Sequence, residues 1–176
     1  MAPTAYKALE WEPLWEEGMT VEECARALQR LEQILESWRG TKYSNGQQLK
    51  GVGVDCTRFS GGVLDELRGV VTTQVAALPY DASLHNKAGA ESAMRELLRL
   101  YAPLRKVGGV TVQPGDFVIT GPAGGGPGHA MIAGPRRGEL WQTNSRRVWP
   151  SGLALNNQLQ IVHGVYRDER RREWAR

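Results

Sequence analysis

The sequence predicts an α+β domain in which helices come first and an antiparallel sheet follows. Apolar residues recur at helical spacing through the first hundred residues, and short β-like runs replace that pattern from Val107 onward. Helices and strands that are segregated along a chain are typical of the α+β class. The 176 residues, 41% of them hydrophobic, are enough for one compact domain with a core.

Three helices are predicted. Thr20-Val21-Glu22-Glu23 has the form of a capping box and opens an amphipathic helix from Val21 to Trp38. Gly40 ends that helix, and a loop rich in Gly, Asn and Gln follows. Cys56 stands at the first turn of the second helix, and the third is expected from Ala88 to Leu104.

The second half of the chain predicts a five- to six-stranded antiparallel sheet. Its strands are expected at Val110–Val112, Asp116–Thr120, His129–Ala133, Glu139–Thr143 and Gln158–Tyr166. The glycine-rich stretch from Gly121 to Gly128 is interpreted as a hairpin loop, with a lid beside a groove as the alternative. Near the N-terminus, Trp11 to Trp15 forms an aromatic strap that either packs on the core or, if exposed, docks another chain.

Composition excludes several classes of protein. The chain has no apolar run of about eighteen residues and no signal peptide pattern, so we expect synthesis in the cytoplasm and no membrane insertion. The net charge is +3, with arginines weighted toward the end; this pattern favours a solvated helix end or an interface over nucleic-acid binding. A disulfide between the two cysteines, Cys24 and Cys56, is disfavoured because Cys24 fits a helical apolar pattern.

Cys56 and His129 are the candidates for a thiol nucleophile and its base. A thiolate at the first turn of a helix feels the positive end of the helix dipole and the N–H groups there, and both lower its pKa. The three histidines and two cysteines never form a ligand pair at short spacing, so no metal is expected. The glycine-rich stretch lacks the features of a phosphate or dinucleotide loop, so no cofactor is expected either.

Four ordered blocks of sequence resemble the NlpC family of peptidoglycan peptidases. They are Trp38-Arg39-Gly40-Thr41-Lys42-Tyr43, Gly53-Val54-Asp55-Cys56-Thr57-Arg58-Phe59, Gln113-Pro114-Gly115-Asp116-Phe117-Val118 and Gly128-His129-Ala130-Met131-Ile132. The resemblance implies a papain-like cysteine peptidase fold, in which a helix bearing the nucleophile packs on a short antiparallel sheet. It also implies cleavage of peptide bonds next to D-amino acids in bacterial cell-wall stem peptides.

The same resemblance assigns the site residues. Cys56 matches the nucleophile and His129 the base, while the polar group that orients the histidine falls at Gln142, with Asn144 as the alternative. Substrate binding is assigned to Tyr43, Asp55 and Arg58. Of these, Arg58 is expected either to contact a stem-peptide carboxylate or to face solvent. The chain departs from the family pattern in two places. Thr57 and Arg58 replace the usual serine and glycine, and Gln142 stands where histidine is usual. His85 and His163 lie outside the blocks and are interpreted as structural.

The resemblance also implies a domain organisation and a setting. Residues 1–37 are expected to form an N-terminal strap and helix, residues 38–166 the peptidase domain, and residues 167–176 a charged tail. Relatives without a signal peptide often belong to phage or phage-like tails, so tail proteins are the expected partners and peptidoglycan the expected substrate. A structural tail protein with this fold and little activity is one alternative. An intracellular amidase of the same fold is another.

Overall fold

The structure, a computed structural model, describes residues 9–70, 95–108, 111–122, 126–143, 146–152 and 160–176. It is an α+β architecture built around a six-stranded sheet in which every neighbouring pair of strands is antiparallel. In chain order these six strands are β4 (Leu104–Val107), β6 (Phe117–Pro122), β7 (His129–Ala133), β8 (Glu139–Thr143), β9 (Val148–Gly152) and β10 (Gln160–Asp168). Their spatial order is β4-β10-β6-β7-β8-β9.

Shorter strands lie outside the main sheet. β1 (Glu10–Trp11) pairs in parallel with β5 (Thr111–Val112), and β2 (Gln48–Leu49) pairs antiparallel with β3 (Gly53–Val54). The aromatic strap therefore begins as a strand, and its Leu14 is buried while Trp15 remains 58% exposed. Part of the strap packs on the core, as the first interpretation expects, and Trp15 lies on the surface.

The first helix, α1 (Val21–Trp38), has the predicted bounds and the predicted capping box. The Thr20 hydroxyl accepts from the Glu23 N–H at 3.2 Å, and the Glu23 carboxylate accepts from the Thr20 N–H at 2.7 Å. The apolar stripe of α1, which includes Leu31 and Leu35, is buried in the main core. None of the helices in the described ranges is long and apolar enough to span a membrane.

The second helix, α2 (Cys56–Arg68), begins at the cysteine, as predicted. It ends at Gly69, whose φ of 67° is the left-handed conformation that glycine adopts most readily at a helix end. One face of α2 packs on the sheet: Phe59, Val63 and Leu64 share the main core with Ile132 and other sheet residues. This packing fixes the start of α2 against β7, and the packed apolar side chains make the arrangement rigid.

The third helix and several strands differ from prediction: β4 and β9 were not expected, and the strand expected at Val110–Val112 is β5, which lies outside the main sheet. Residues 95–100 are helical, residues 88–94 lie outside the described ranges, and Leu104 opens β4 instead of closing a helix. Pro103 explains the early end, because a proline disfavours helical backbone in the residue before it and offers no N–H. β9 was not predicted, since Pro150 lies within it; a proline is tolerated there because β9 is an edge strand.

Residues 167–176, expected as a charged tail that is either a solvated helix end or an interface, contain both buried and exposed residues. Arg167 and Asp168 belong to β10, and the chain closes with a 3-10 helix (Arg171–Ala175) in which Arg171 and Trp174 are fully buried. The buried Asp116 carboxylate binds both arginines, with 2.8 Å between Arg167 Nη2 and Asp116 Oδ2. Both arginines can be buried because one carboxylate from an earlier part of the chain pairs with each of them.

Candidate active site

Backbone pairing places Cys56 at the start of α2. The Val54 N–H donates to the Lys42 carbonyl at 2.9 Å, and the Val54 carbonyl accepts from the Ser44 N–H at 3.0 Å. Asp55 then caps the helix, because its carboxylate accepts from the Arg58 N–H at 2.8 Å. Cys56 is thereby held in the first turn, where helix geometry leaves the N–H groups without an intrahelical acceptor.

His129 is the first residue of β7 and lies near Cys56, at the end of β7 that is not paired with β8. β7 and β8 are paired only at Ile132–Trp141 and Ala133–Leu140, so the first residues of β7 lie beyond this ladder. The backbone N–H of Ala130 is close enough to the Cys56 sulfur to lower the pKa of the thiol. Cys56 and His129 therefore meet at a part of β7 that is not paired with β8.

The two side chains change each other's protonation. Burial alone would raise the pKa of the Cys56 thiol, but the charge of His129, the hydrogen bond from its ring and the Ala130 N–H outweigh burial and lower that pKa. Burial likewise opposes the charged form of His129, yet the Cys56 thiolate and the hydrogen bonds to Cys56 and Gln142 raise the pKa of the imidazole. Opposite shifts in two groups that touch favour a thiolate–imidazolium pair.

Gln142 lies on the far side of the histidine ring. Its Oε1 is 2.7 Å from His129 Nε2, which leaves Nδ1 as the ring nitrogen that faces Cys56. The structure thus brings Cys56, His129 and Gln142 together in the order that the resemblance implies. The alternative to Gln142, Asn144, lies outside the described residues.

The three residues predicted to bind substrate occupy different environments. Tyr43 is 36% exposed, its backbone pairs with Val54 next to the site, and its hydroxyl hydrogen-bonds the Asn45 side chain. Asp55 is buried and its carboxylate accepts from the Gly46 N–H at 2.9 Å as well as from Arg58. Asp55 therefore organises the loop and helix start from within.

Arg58 is placed differently from both interpretations of the sequence. The side chain is 2% exposed, and its Nη1 lies 2.7 Å from Asp55 Oδ2 in a buried ion pair. It neither faces solvent nor presents its guanidinium at the surface to a substrate carboxylate. Arg58 instead pairs with Asp55, the residue that caps the helix beginning at Cys56.

Two residues near the site were not predicted to act there. Trp149 is the cross-strand partner of Gln142, so the two side chains share one face of the sheet, and Trp149 is 43% exposed. The guanidinium carbons of Arg39 and Arg147 lie 4.8 and 5.0 Å from its ring centroid. Ser151, two residues further along β9, accepts a hydrogen bond from Gln142. The missed strand explains both omissions.

The two remaining histidines lie apart from these residues. His163 sits at an irregularity in β10, between Val162 and Gly164, with its ring against Gly121. This position is compatible with the structural interpretation of His163. His85 lies outside the described residues. The glycine-rich stretch is described only in part. The interpretations of it as a hairpin loop or a lid concern residues 123–125, which lie outside the described residues.

The fold and the site together define an α+β protein in which a cysteine at a helix start meets a histidine on a strand. No protein-family model matches the chain, and none of the curated proteins is significantly similar to it. Function is therefore inferred from the geometry of the site and from the four sequence blocks. The chemistry that this geometry supports is nucleophilic attack by a thiolate.

Proposed function

We propose that this protein is a cysteine peptidase with a papain-like NlpC fold that hydrolyses peptide bonds in peptidoglycan stem peptides. The observation that carries the proposal is the alignment of Cys56, His129 and Gln142, with His129 Nε2 bound to Gln142 and its other nitrogen facing the thiol. A buried structural cysteine has an ordinary or raised pKa, whereas the pKa of Cys56 is lowered. This difference favours a reactive thiolate.

The reaction follows from these positions. The Cys56 thiolate attacks the carbonyl carbon of the scissile bond, and the electron pair of the carbonyl moves to its oxygen. The backbone N–H of Cys56 donates to that oxyanion. As the tetrahedral intermediate collapses, the C–N bond breaks and His129 Nδ1 gives its proton to the departing amine. Water, deprotonated by His129, then cleaves the thioester and returns the thiolate and the imidazolium.

The surface beside the site suits an acidic peptide. Trp149 stands next to Gln142, and the guanidinium groups of Arg39 and Arg147 lie against its ring. Stem peptides carry free carboxylates, which arginine side chains bind through charge-assisted hydrogen bonds. Arg39 already pairs with the Glu36 carboxylate, so a substrate carboxylate would share or replace that partner. Tyr43 lies at the strand that leads into Cys56, which is compatible with its assignment to the substrate groove.

The setting that we propose is a phage or phage-like tail, where the enzyme helps the tail to penetrate the cell wall. Trp15, which is 58% exposed at the end of the aromatic strap, supports a docking role in such an assembly. The alternative of a purely structural tail protein does not call for the lowered pKa of Cys56. An intracellular amidase would use the same three residues on a different amide.

Digestion of purified peptidoglycan tests the proposal. The wild-type protein is expected to release cut stem peptides, identified by mass spectrometry, and Cys56→Ala is expected to release none because it lacks the nucleophile. Cys24→Ala is a matched control, since Cys24 is the other cysteine and lies half-buried in α1. Equal release by wild type and Cys56→Ala would contradict the mechanism, and no release by folded wild type from several wall types would contradict the substrate.

A further inference from the structure

A chain of hydrogen bonds continues beyond Gln142 and ends on the backbone. His129 Nε2 lies 2.7 Å from Gln142 Oε1, and Gln142 Nε2 donates to Ser151 Oγ at 2.7 Å. The Ser151 hydroxyl in turn donates to the Leu140 carbonyl at 3.2 Å. All four groups are tied together within three neighbouring strands, and Ser151 plays no part in the resemblance to NlpC peptidases.

The last bond of this chain determines the direction of the others. A carbonyl oxygen only accepts, so the single hydroxyl proton of Ser151 is committed to Leu140. The lone pairs of the Ser151 oxygen then face Gln142. The Gln142 amide can form this hydrogen bond only if its NH₂ group points to the serine. The amide oxygen is consequently turned to His129, and the histidine Nε2 must carry a hydrogen.

We propose that Ser151 is a positioning residue that fixes the orientation of the Gln142 amide and, through it, the tautomer of His129. This inference rests on the proposed function of Cys56 and His129 as nucleophile and base. With the proton on Nε2, the neutral ring keeps the lone pair on Nδ1 for the thiol proton. The imidazolium that forms by that transfer still donates its Nε2 hydrogen to the Gln142 amide oxygen.

The opposite orientation of the amide would oppose the same transfer. A rotated Gln142 would present its NH₂ group to His129 Nε2, and that nitrogen would then have to accept. The neutral ring would place its proton on Nδ1, facing the thiol, and the imidazolium would set an N–H against two amide donors. Both consequences disfavour the thiolate, so the orientation of one amide affects the nucleophile.

Sheet geometry makes Ser151 suited to this task. Leu140 and Ser151 are direct partners in the ladder between β8 and β9, and Gln142 pairs with Trp149 in the same ladder. Gln142 and Ser151 are therefore diagonal neighbours on one face, where a long side chain reaches a short one. A hydroxyl anchored on the backbone of the partner strand loses little entropy in holding the amide.

The rate at which iodoacetamide alkylates Cys56 as a function of pH tests the proposal, with the modified peptide identified by mass spectrometry. Ser151→Ala is expected to move the midpoint of the profile to higher pH and to slow alkylation at pH 6 by about three- to tenfold, the effect of one lost hydrogen bond. Ser151→Thr keeps the hydroxyl and is expected to restore the wild-type profile. An unchanged midpoint in folded Ser151→Ala would overturn the proposal.

Two further variants separate positioning from a general structural effect. Ser37→Ala is a matched control, because the Ser37 hydroxyl also donates to a backbone carbonyl, that of Ile34, and accepts from Lys50, away from the site. It is expected to leave the profile unchanged.

In Gln142→Glu both side-chain oxygens accept, so the orientation of the side chain no longer matters. Adding Ser151→Ala to Gln142→Glu is therefore expected to produce no further shift. A full additional shift in that double variant would overturn the proposal.

One measurement needs no variant that might fail to fold. In wild-type protein labelled with ¹⁵N-histidine, neutral His129 is expected to carry its proton on Nε2, as read from the ¹⁵N chemical shifts of the ring. A proton on Nδ1 in the neutral state would overturn the proposal. Alkylation and NMR require no wall substrate, so these results are independent of whether peptidoglycan is the substrate.

Discussion

Replacing His129 with alanine is expected to slow hydrolysis of wall peptides by at least about 10³-fold. In the proposed mechanism, the variant loses the group that keeps Cys56 ionised and the acid that protonates the departing amine. Without the imidazolium, the burial that already opposes the thiolate is no longer offset, so the pKa of the Cys56 thiol rises. The rate of release of cut stem peptides, measured by mass spectrometry, gives the size of the loss.

Two other variants make this prediction specific. Gln142→Ala removes only the orienting group, and a loss of about 10²-fold is expected, the effect of one positioned polar group in an active site. His163→Ala changes the other described histidine, which lies in β10, and is expected to keep the wild-type rate when the protein is folded. Losses of the same size in His129→Ala and His163→Ala would contradict the role of His129.

Replacing Asp116 with asparagine is expected to lower the free energy of unfolding by about 3–5 kcal/mol. The carboxylate is fully buried and pairs with both Arg167 and Arg171. Burial lowers the pKa of Arg171 to about 10, so the guanidinium remains charged at neutral pH. Without the carboxylate, two buried positive charges lose their partner, and removing one member of a buried ion pair costs far more than the pair itself contributes.

Urea denaturation followed by circular dichroism measures this change. Glu36→Gln is the matched control, because Glu36 forms an ion pair with Arg39 at 2.5 Å whose side chains are 40% and 32% exposed to solvent. Exposed pairs contribute about 1 kcal/mol or less, so only a small change is expected there. If Asp116→Asn destabilised the protein no more than Glu36→Gln, the C-terminal residues would not be anchored as the structure indicates.

Elements with strong local patterns were predictable from the sequence. The capping box at Thr20 and the periodicity that follows predicted the bounds of α1, and short β-like runs predicted β7 at His129–Ala133 and β8 at Glu139–Thr143. Each of these signals lies within a few neighbouring residues. β9 was missed because Pro150 weakens a strand pattern, although a proline is tolerated at the edge of a sheet.

Features that depend on which charged or polar side chains pair were not predictable. Arg58 is buried because Asp55 pairs with it at a helix cap, and Arg171 because Asp116 reaches it from another element. A run of charged residues alone predicts that their side chains are exposed to solvent, since charged residues are rarely buried without a partner. The meeting of Cys56 with His129 was inferred from sequence blocks, whereas the role of Ser151 follows only from the register between β8 and β9.

The pH dependence of Cys56 alkylation in the wild-type protein tests the thiolate–imidazolium pair most directly. Because the neighbouring His129 lowers the pKa of Cys56, the thiolate is expected to persist to a lower pH than in a free cysteine. The alkylation rate is therefore expected to stay high on a plateau that extends well below the pKa of free cysteine, about 8.5. A rate that falls tenfold per pH unit below that value, as for glutathione, would contradict the pair and the mechanism built on it.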